Sequence, residues 1–183
     1  MARRWCIAVA GDGTVLEGSP HWSAAAALGE ALVEAGFRVL TGGLGGVMEA
    51  ACLGARRALA YREGDTIALL PGHGAGAANP HADVVLPTGL FHGRNMLVAH
   101  ADALVAIGGG AGTLSEIALA WVQRRLVIAF RLPGWSGRLA DAPLDERPRF
   151  AAISDDRVFG VDGAEEVISL LGARLDANLR EAS

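Results

Sequence analysis

Apolar positions fall into short unbroken runs, separated by glycine-rich turns and by longer stretches with helical spacing. Residues 5–10 form the first run, and Gly11-Asp12-Gly13 ends it, which predicts a buried strand. Ser19-Pro20 supplies an N-cap and a proline at the first helical position, so a helix follows to Ala35, with Gly36 as its stop. The same reading predicts strands at 37–41, 66–70, 84–86, 103–107 and 126–130, and an edge strand at 157–161. Helices are expected over 47–60, 93–101 and the segment after Thr113, with an amphipathic helix at 164–180. In the 47–60 helix, Met48, Ala51, Cys52 and Ala55 share one face. Segments 72–82 and 131–150 lack periodicity and read as surface connections.

Buried strands that alternate with helices predict one α/β domain spanning 1–183: a doubly wound, mostly parallel, Rossmann-like three-layer sandwich. Such sheets bind ligands beyond the C-terminal ends of their strands. That rim carries three glycine-rich turns, at 11–14, 42–46 and 108–113.

Composition then removes function classes. The chain has 183 residues, 51% of them hydrophobic and 20% charged, with a formal net charge of −4. That balance lacks the clustered basic residues a nucleic-acid backbone requires. No run approaches the roughly 20 apolar residues of a membrane span, and the first apolar run is too short for a secretion signal, so the expected location is the cytoplasm. Cys6 and Cys52 have neither metal-ligand nor CxxC spacing and read as buried thiols. The histidines form no i, i+4 pair, and His73, His81 and Asp83 do not make a convincing metal set, so no metal or cofactor is expected. The basic residues are all arginine, which excludes a Schiff-base lysine.

The turns complete no standard nucleotide fingerprint. The last glycine of GxGxxG is replaced by Leu16, Met48 and Thr113 in turn, and a P-loop lysine is absent. Gly109, Gly110, Ala111, Gly112 and Thr113 nevertheless lead from a strand into a helix, where unpaired amides suit a phosphate. Glu116, one turn on, can face a sugar beyond that phosphate. Thr113 and Glu116 equally spell a capping box, and spacing does not separate the two readings. Gly11, Gly13, Gly43 and Gly45 complete the rim. Glu49 in a first helical turn suits the helix dipole and also lies on the rim. Arg94 and Asn95 begin another helix there, where the arginine can pair with Glu116 or a phosphate.

These residues resemble the LOG-like family, often labelled possible lysine decarboxylases, in a superfamily that includes DNA-processing Rossmann domains. The signature PGGxGTxxE stands here as Gly108 to Glu116 with glycine in the proline position, and the similarity runs from about Cys6 to Phe130. TGGLGGVMEAA, ANPHADVVLPTG and GRNMLVAHADALVAIGGGAGTLSEIALA are similar to a bacterial branch related to molybdenum-cofactor carrier proteins. The resemblance implies a homo-oligomer, commonly a dimer, that holds a phosphorylated small molecule on the signature turn.

Two functions follow from it. In the first, a nucleoside 5′-monophosphate is hydrolysed at its N-glycosidic bond; Glu116 and Arg94 are the catalytic pair, the arginine keeping the glutamate ionised. In the second, the chain is a carrier or sensor of a nucleotide or molybdopterin-type ligand. The second is motivated by Arg94-Asn95, because the catalytic members carry Arg-Lys there.

Overall fold

The computed structural model describes residues 3–182. A seven-stranded sheet has the order β4-β3-β2-β1-β5-β6-β7, and every neighbouring pair is parallel. The strands are β1 (Cys6–Gly11), β2 (Arg38–Thr41), β3 (Thr66–Leu70), β4 (Val84–Pro87), β5 (Ala103–Ile107), β6 (Leu126–Phe130) and β7 (Phe159–Val161). The helices are α1 (Pro20–Glu34), α2 (Val47–Arg57), α3 (Asn95–Ala99), α4 (Ala111–Val122), α5 (Trp135–Leu139) and α6 (Ala164–Ala182). No helix among the described residues is long and apolar enough to cross a membrane.

Alternate residues of the central strands feed two separate cores. Ile7, Val9, Val105, Ile107 and Ile128 pack under α1, α2 and α6, whereas Ala8, Ala10, Leu104, Ala106 and Val127 pack with α3 and α4. This accounts for the unbroken apolar runs: both sheet faces are covered. Ser19 caps α1 as its position predicts, accepting from the Trp22 amide at 3.3 Å. Helices α1 and α2 approach closely through small residues, and a Cβ at Gly54 would strike the Ala26 carbonyl.

Three expectations need correction. The second helix stops at Arg57, where Ala58 turns to extended backbone. The 93–101 helix is a 3₁₀ turn, Phe91–Arg94, followed by the single-turn-and-a-half α3. The 131–150 segment is not a plain surface excursion: it contains α5, fully buried Ser136 and buried Phe150.

Strands β1 to β4 progress one way across the sheet, and β5 to β7 progress the other. The order reverses between β1 and β5, so a crevice opens beyond their C-terminal ends.

Candidate functional site

A cleft of about 240 Å³ occupies that crevice. Gly11, Asp12 and Gly13 line it from the end of β1, and Gly110, Gly112, Thr113 and Glu116 from the start of α4. Met48, His92, Arg94 and Asn95 complete the wall.

Helix α4 begins at Ala111 with Gly110 as N-cap, and no side chain caps it. The amides of Ala111, Gly112 and Thr113 have no acceptor among the described residues; the first capping bond runs from Leu114 N to Gly110 O at 3.0 Å. Three unpaired N–H groups at the positive end of a helix form an anion site. Nothing lies within 4 Å of a Cβ built on Gly110 or Gly112, so these glycines leave open space above the amides. Gly109 has a different reason to be glycine. Its φ is +87°, and a Cβ there would collide with the Thr113 side chain packed beneath it.

This helix register removes the capping-box reading. Thr113 is the third helical residue and Glu116 the sixth, so the glutamate lies too deep to close on the N-cap. Glu116 instead points across to Arg94, with Nη1 3.3 Å from Oε1, and both side chains are buried. At 3.3 Å the contact is longer than a tight charge-assisted bond. Burial accordingly outweighs the arginine and pushes the Glu116 carboxyl up to about 7. With its carboxyl near 7, Glu116 is only partly ionised at neutral pH, and Arg94 acts against burial to favour the charged form. Burial also lowers the Arg94 guanidinium, against the pull of Glu116, and Arg94 Nε is buried without an acceptor. The guanidinium sits against Gly42, where a Cβ would displace it.

Asn95 lines the cleft, but its amide is committed. Nδ2 donates to Ser115 Oγ at 2.7 Å and reaches the Gly112 carbonyl at 3.5 Å, tying α3 to the first turn of α4. Gly43, Gly45 and Glu49 do not line the cleft, contrary to the three-turn rim expected from sequence. Gly43 packs against Ala68 and Leu70 of β3, and its carbonyl accepts from both the amide and Nδ2 of buried Asn79. Gly45 faces the Gly13 carbonyl, and Glu49 lies beside Gly45 in the first turn of α2. The 42–46 turn thus buttresses the 11–13 turn from behind, with Val47 N donating to Asp12 O at 3.0 Å.

Asp12, Met48 and His92 are lining residues that motif reading missed. Asp12 Oδ1 accepts from the amide and the hydroxyl of Thr14, both at 2.7 Å, and those bonds hold its carboxyl below the usual range. Its place between two glycines at a strand end was the available signal. A second missed element is the clamp on the signature turn. Ser136 Oγ accepts from Gly108 N and donates to Phe130 O, each at 2.7 Å, while Ser136 N and Trp135 N donate to the Gly108 and Gly109 carbonyls. No periodic signal marks this serine in a Pro- and Gly-rich stretch.

The residues named as a candidate metal set are also otherwise engaged. Asp83 accepts from Tyr61, Gly64 and Thr66, and His73 packs edge-on against Phe91.

A parallel sheet with a glycine-lined cleft at its order reversal defines a Rossmann-like domain. More narrowly, the chain belongs to the SLOG cluster4 family, whose model matches residues 4–158. It is 39% identical over 107 residues to an uncharacterised protein of Archaeoglobus fulgidus, covering 58% of this chain and 68% of that one. Among solved structures it is similar to a molybdenum cofactor binding protein from the phototrophic bacterium Rippkaea orientalis, with 30% identity, a TM-score of 0.76, and coverage of 94% of this chain and 98% of the other. It is also similar to the molybdenum cofactor carrier protein of Chlamydomonas reinhardtii, at 26% identity and TM-score 0.74, covering 95% and 99%.

Proposed function

We propose that this protein binds and carries a phosphorylated pterin-type small molecule of the molybdopterin class, held by its phosphate at the start of α4. The observation that carries this reading is the set of unpaired Ala111, Gly112 and Thr113 amides at the start of α4, where Gly112 and Thr113 line the switch-point cleft. The likeness to molybdenum cofactor binding and carrier proteins supports the choice of ligand class. The residues fit such cargo: the open space over Gly110 and Gly112 admits a phosphate, and Asp12 and Glu116 offer acceptors to a ring bearing N–H groups. A homo-oligomer belongs to the same proposal, and exposed Phe91, Met96 and Leu97 beside the cleft suit its contact face.

The sequence ranks hydrolysis first, and the relatives reverse that order. N-glycosidic hydrolysis of a nucleoside 5′-monophosphate is kept as the second reading for one reason. Glu116 in the cleft has a carboxyl near 7, a suitable value for proton transfer at neutral pH. Titration with a phosphorylated pterin and its dephosphorylated form, alongside an assay for free base from nucleoside monophosphates, separates the readings. A carrier binds the phosphorylated pterin at least tenfold more tightly and releases no base. Equal affinity for the two pterins, or steady base release abolished by Glu116→Gln, contradicts it.

A further inference from the structure

The end of the sheet opposite the cleft holds a second cavity of about 640 Å³. Trp5, Asp102 and Arg125 line it just before β1, β5 and β6, with Arg3, His100 and Arg180 around them. Its charges do not balance. Asp102 is buried with both oxygens in use: Oδ1 accepts from Arg3 Nη2 at 2.5 Å and Oδ2 from Cys6 N at 2.8 Å. Asp176, the other carboxylate in the wall, is exposed on α6 and forms no ion pair among the described residues.

Arg125 is half-buried yet has no carboxylate partner among the described residues. Its Nη2 meets His100 Nε2 at 3.4 Å, and its Nε is buried without an acceptor. His100 Nδ1 is engaged by Gln123 Oε1, and an imidazole carries no negative charge in either tautomer, so the ring is no counter-charge for Arg125. Arg180 likewise lacks a carboxylate partner among the described residues. A partly desolvated guanidinium without a counter-charge is costly, and its planar fork matches a phosphate. The volume falls in the range of small-molecule sites, about 300–1,000 Å³, and Trp5 stands in the wall with the Arg3 guanidinium over its ring, 5.3 Å from the centroid.

We propose that this cavity is a second ligand site, for a phosphorylated small molecule whose phosphate is held by Arg125 and Arg180 and whose remainder lies along the side of the cavity formed by Arg3 and Trp5. Calorimetric titration with inorganic pyrophosphate tests it, with Gly112→Asp used to close the cleft at the other end of the sheet. The Gly112→Asp protein is expected to bind one pyrophosphate, and adding Arg125→Gln is expected to weaken that binding at least tenfold. Arg180→Gln, at an exposed position, is expected to weaken it at least threefold and serves where Arg125→Gln fails to fold. Gly112→Asp protein that binds no pyrophosphate, or that binds it unchanged with both arginines replaced, overturns the proposal. Wild-type protein that binds a single pyrophosphate, lost on Arg125→Gln, supports this site and counts against the cleft reading alone.

Discussion

Arg94 and Glu116 face each other across the cleft as a buried pair, Nη1 to Oε1 3.3 Å, with the glutamate's proton held up to about 7. The unfolded chain releases that proton near 4.5. Its stabilising effect is therefore complete below about pH 4.5 and is lost as pH rises towards 7, by at most about 3 kcal/mol. Glutamine cannot ionise, so Glu116→Gln escapes this loss. Thermal melts are expected to show the variant gaining on wild type by roughly 5–10 °C between pH 4.5 and 7.5, with no further change above. A variant that loses ground as pH rises shows instead that the ion pair is net stabilising.

Two glycines of one turn should behave oppositely. Gly109→Ala puts a side chain at φ +87° into Thr113 and is expected to cost roughly 2–3 kcal/mol in denaturant melts. Gly112→Ala meets nothing within 4 Å and replaces a helical glycine, so stability should hold or rise by about 0.5 kcal/mol. Its affinity for a phosphorylated ligand should still fall about tenfold, roughly 1.4 kcal/mol, because the methyl occupies the space above the amides.

Ser136→Ala tests the clamp on the signature turn. It leaves the buried Gly108 N–H without its acceptor and removes a donor from the Phe130 carbonyl. Urea unfolding should report a loss of about 2–3 kcal/mol. Ligand affinity should fall with it, since the turn is no longer held against α5.

Both thiols should resist alkylation. Burial pushes Cys6 and Cys52 up to about 11, and Asp102 adds to the effect at Cys6. At pH 8 roughly one molecule in a thousand then carries a given thiolate. Iodoacetamide is expected to label two cysteines in urea and almost none in buffer. Cys6 is half-buried rather than buried, so any slow labelling should fall there first.

The fold was legible because periodicity reports burial, and this sheet is buried on both faces. The runs 66–70, 103–107 and 126–130 coincide with β3, β5 and β6 to the residue. The cleft was legible in part. Gly110, Gly112, Thr113 and Glu116 carry a spacing that a strand-to-helix turn explains, Arg94 stands at the start of a neighbouring helix, and all five line the cleft. Glu49 and Gly45 were misplaced because a turn one strand away can support a rim without facing it. Thr113 and Glu116 were ambiguous because the frame of a capping box depends on which residue is the N-cap, and only backbone geometry assigns that to Gly110. Ser136 and Asn79 were missed because their partners are backbone groups far along the chain, in segments with no repeating pattern.

In the proposed carrier, the amides of Ala111 to Thr113 hold the phosphate of the ligand. Native mass spectrometry of protein purified from its own cells tests it most directly, beside Gly112→Asp prepared in the same way. Wild type is expected to show a mass increment that fragments to a phosphorylated pterin and that is absent from the variant. Wild type with no increment that also binds no added phosphorylated pterin, or a phosphorylated-pterin increment equally present on Gly112→Asp, contradicts the carrier reading.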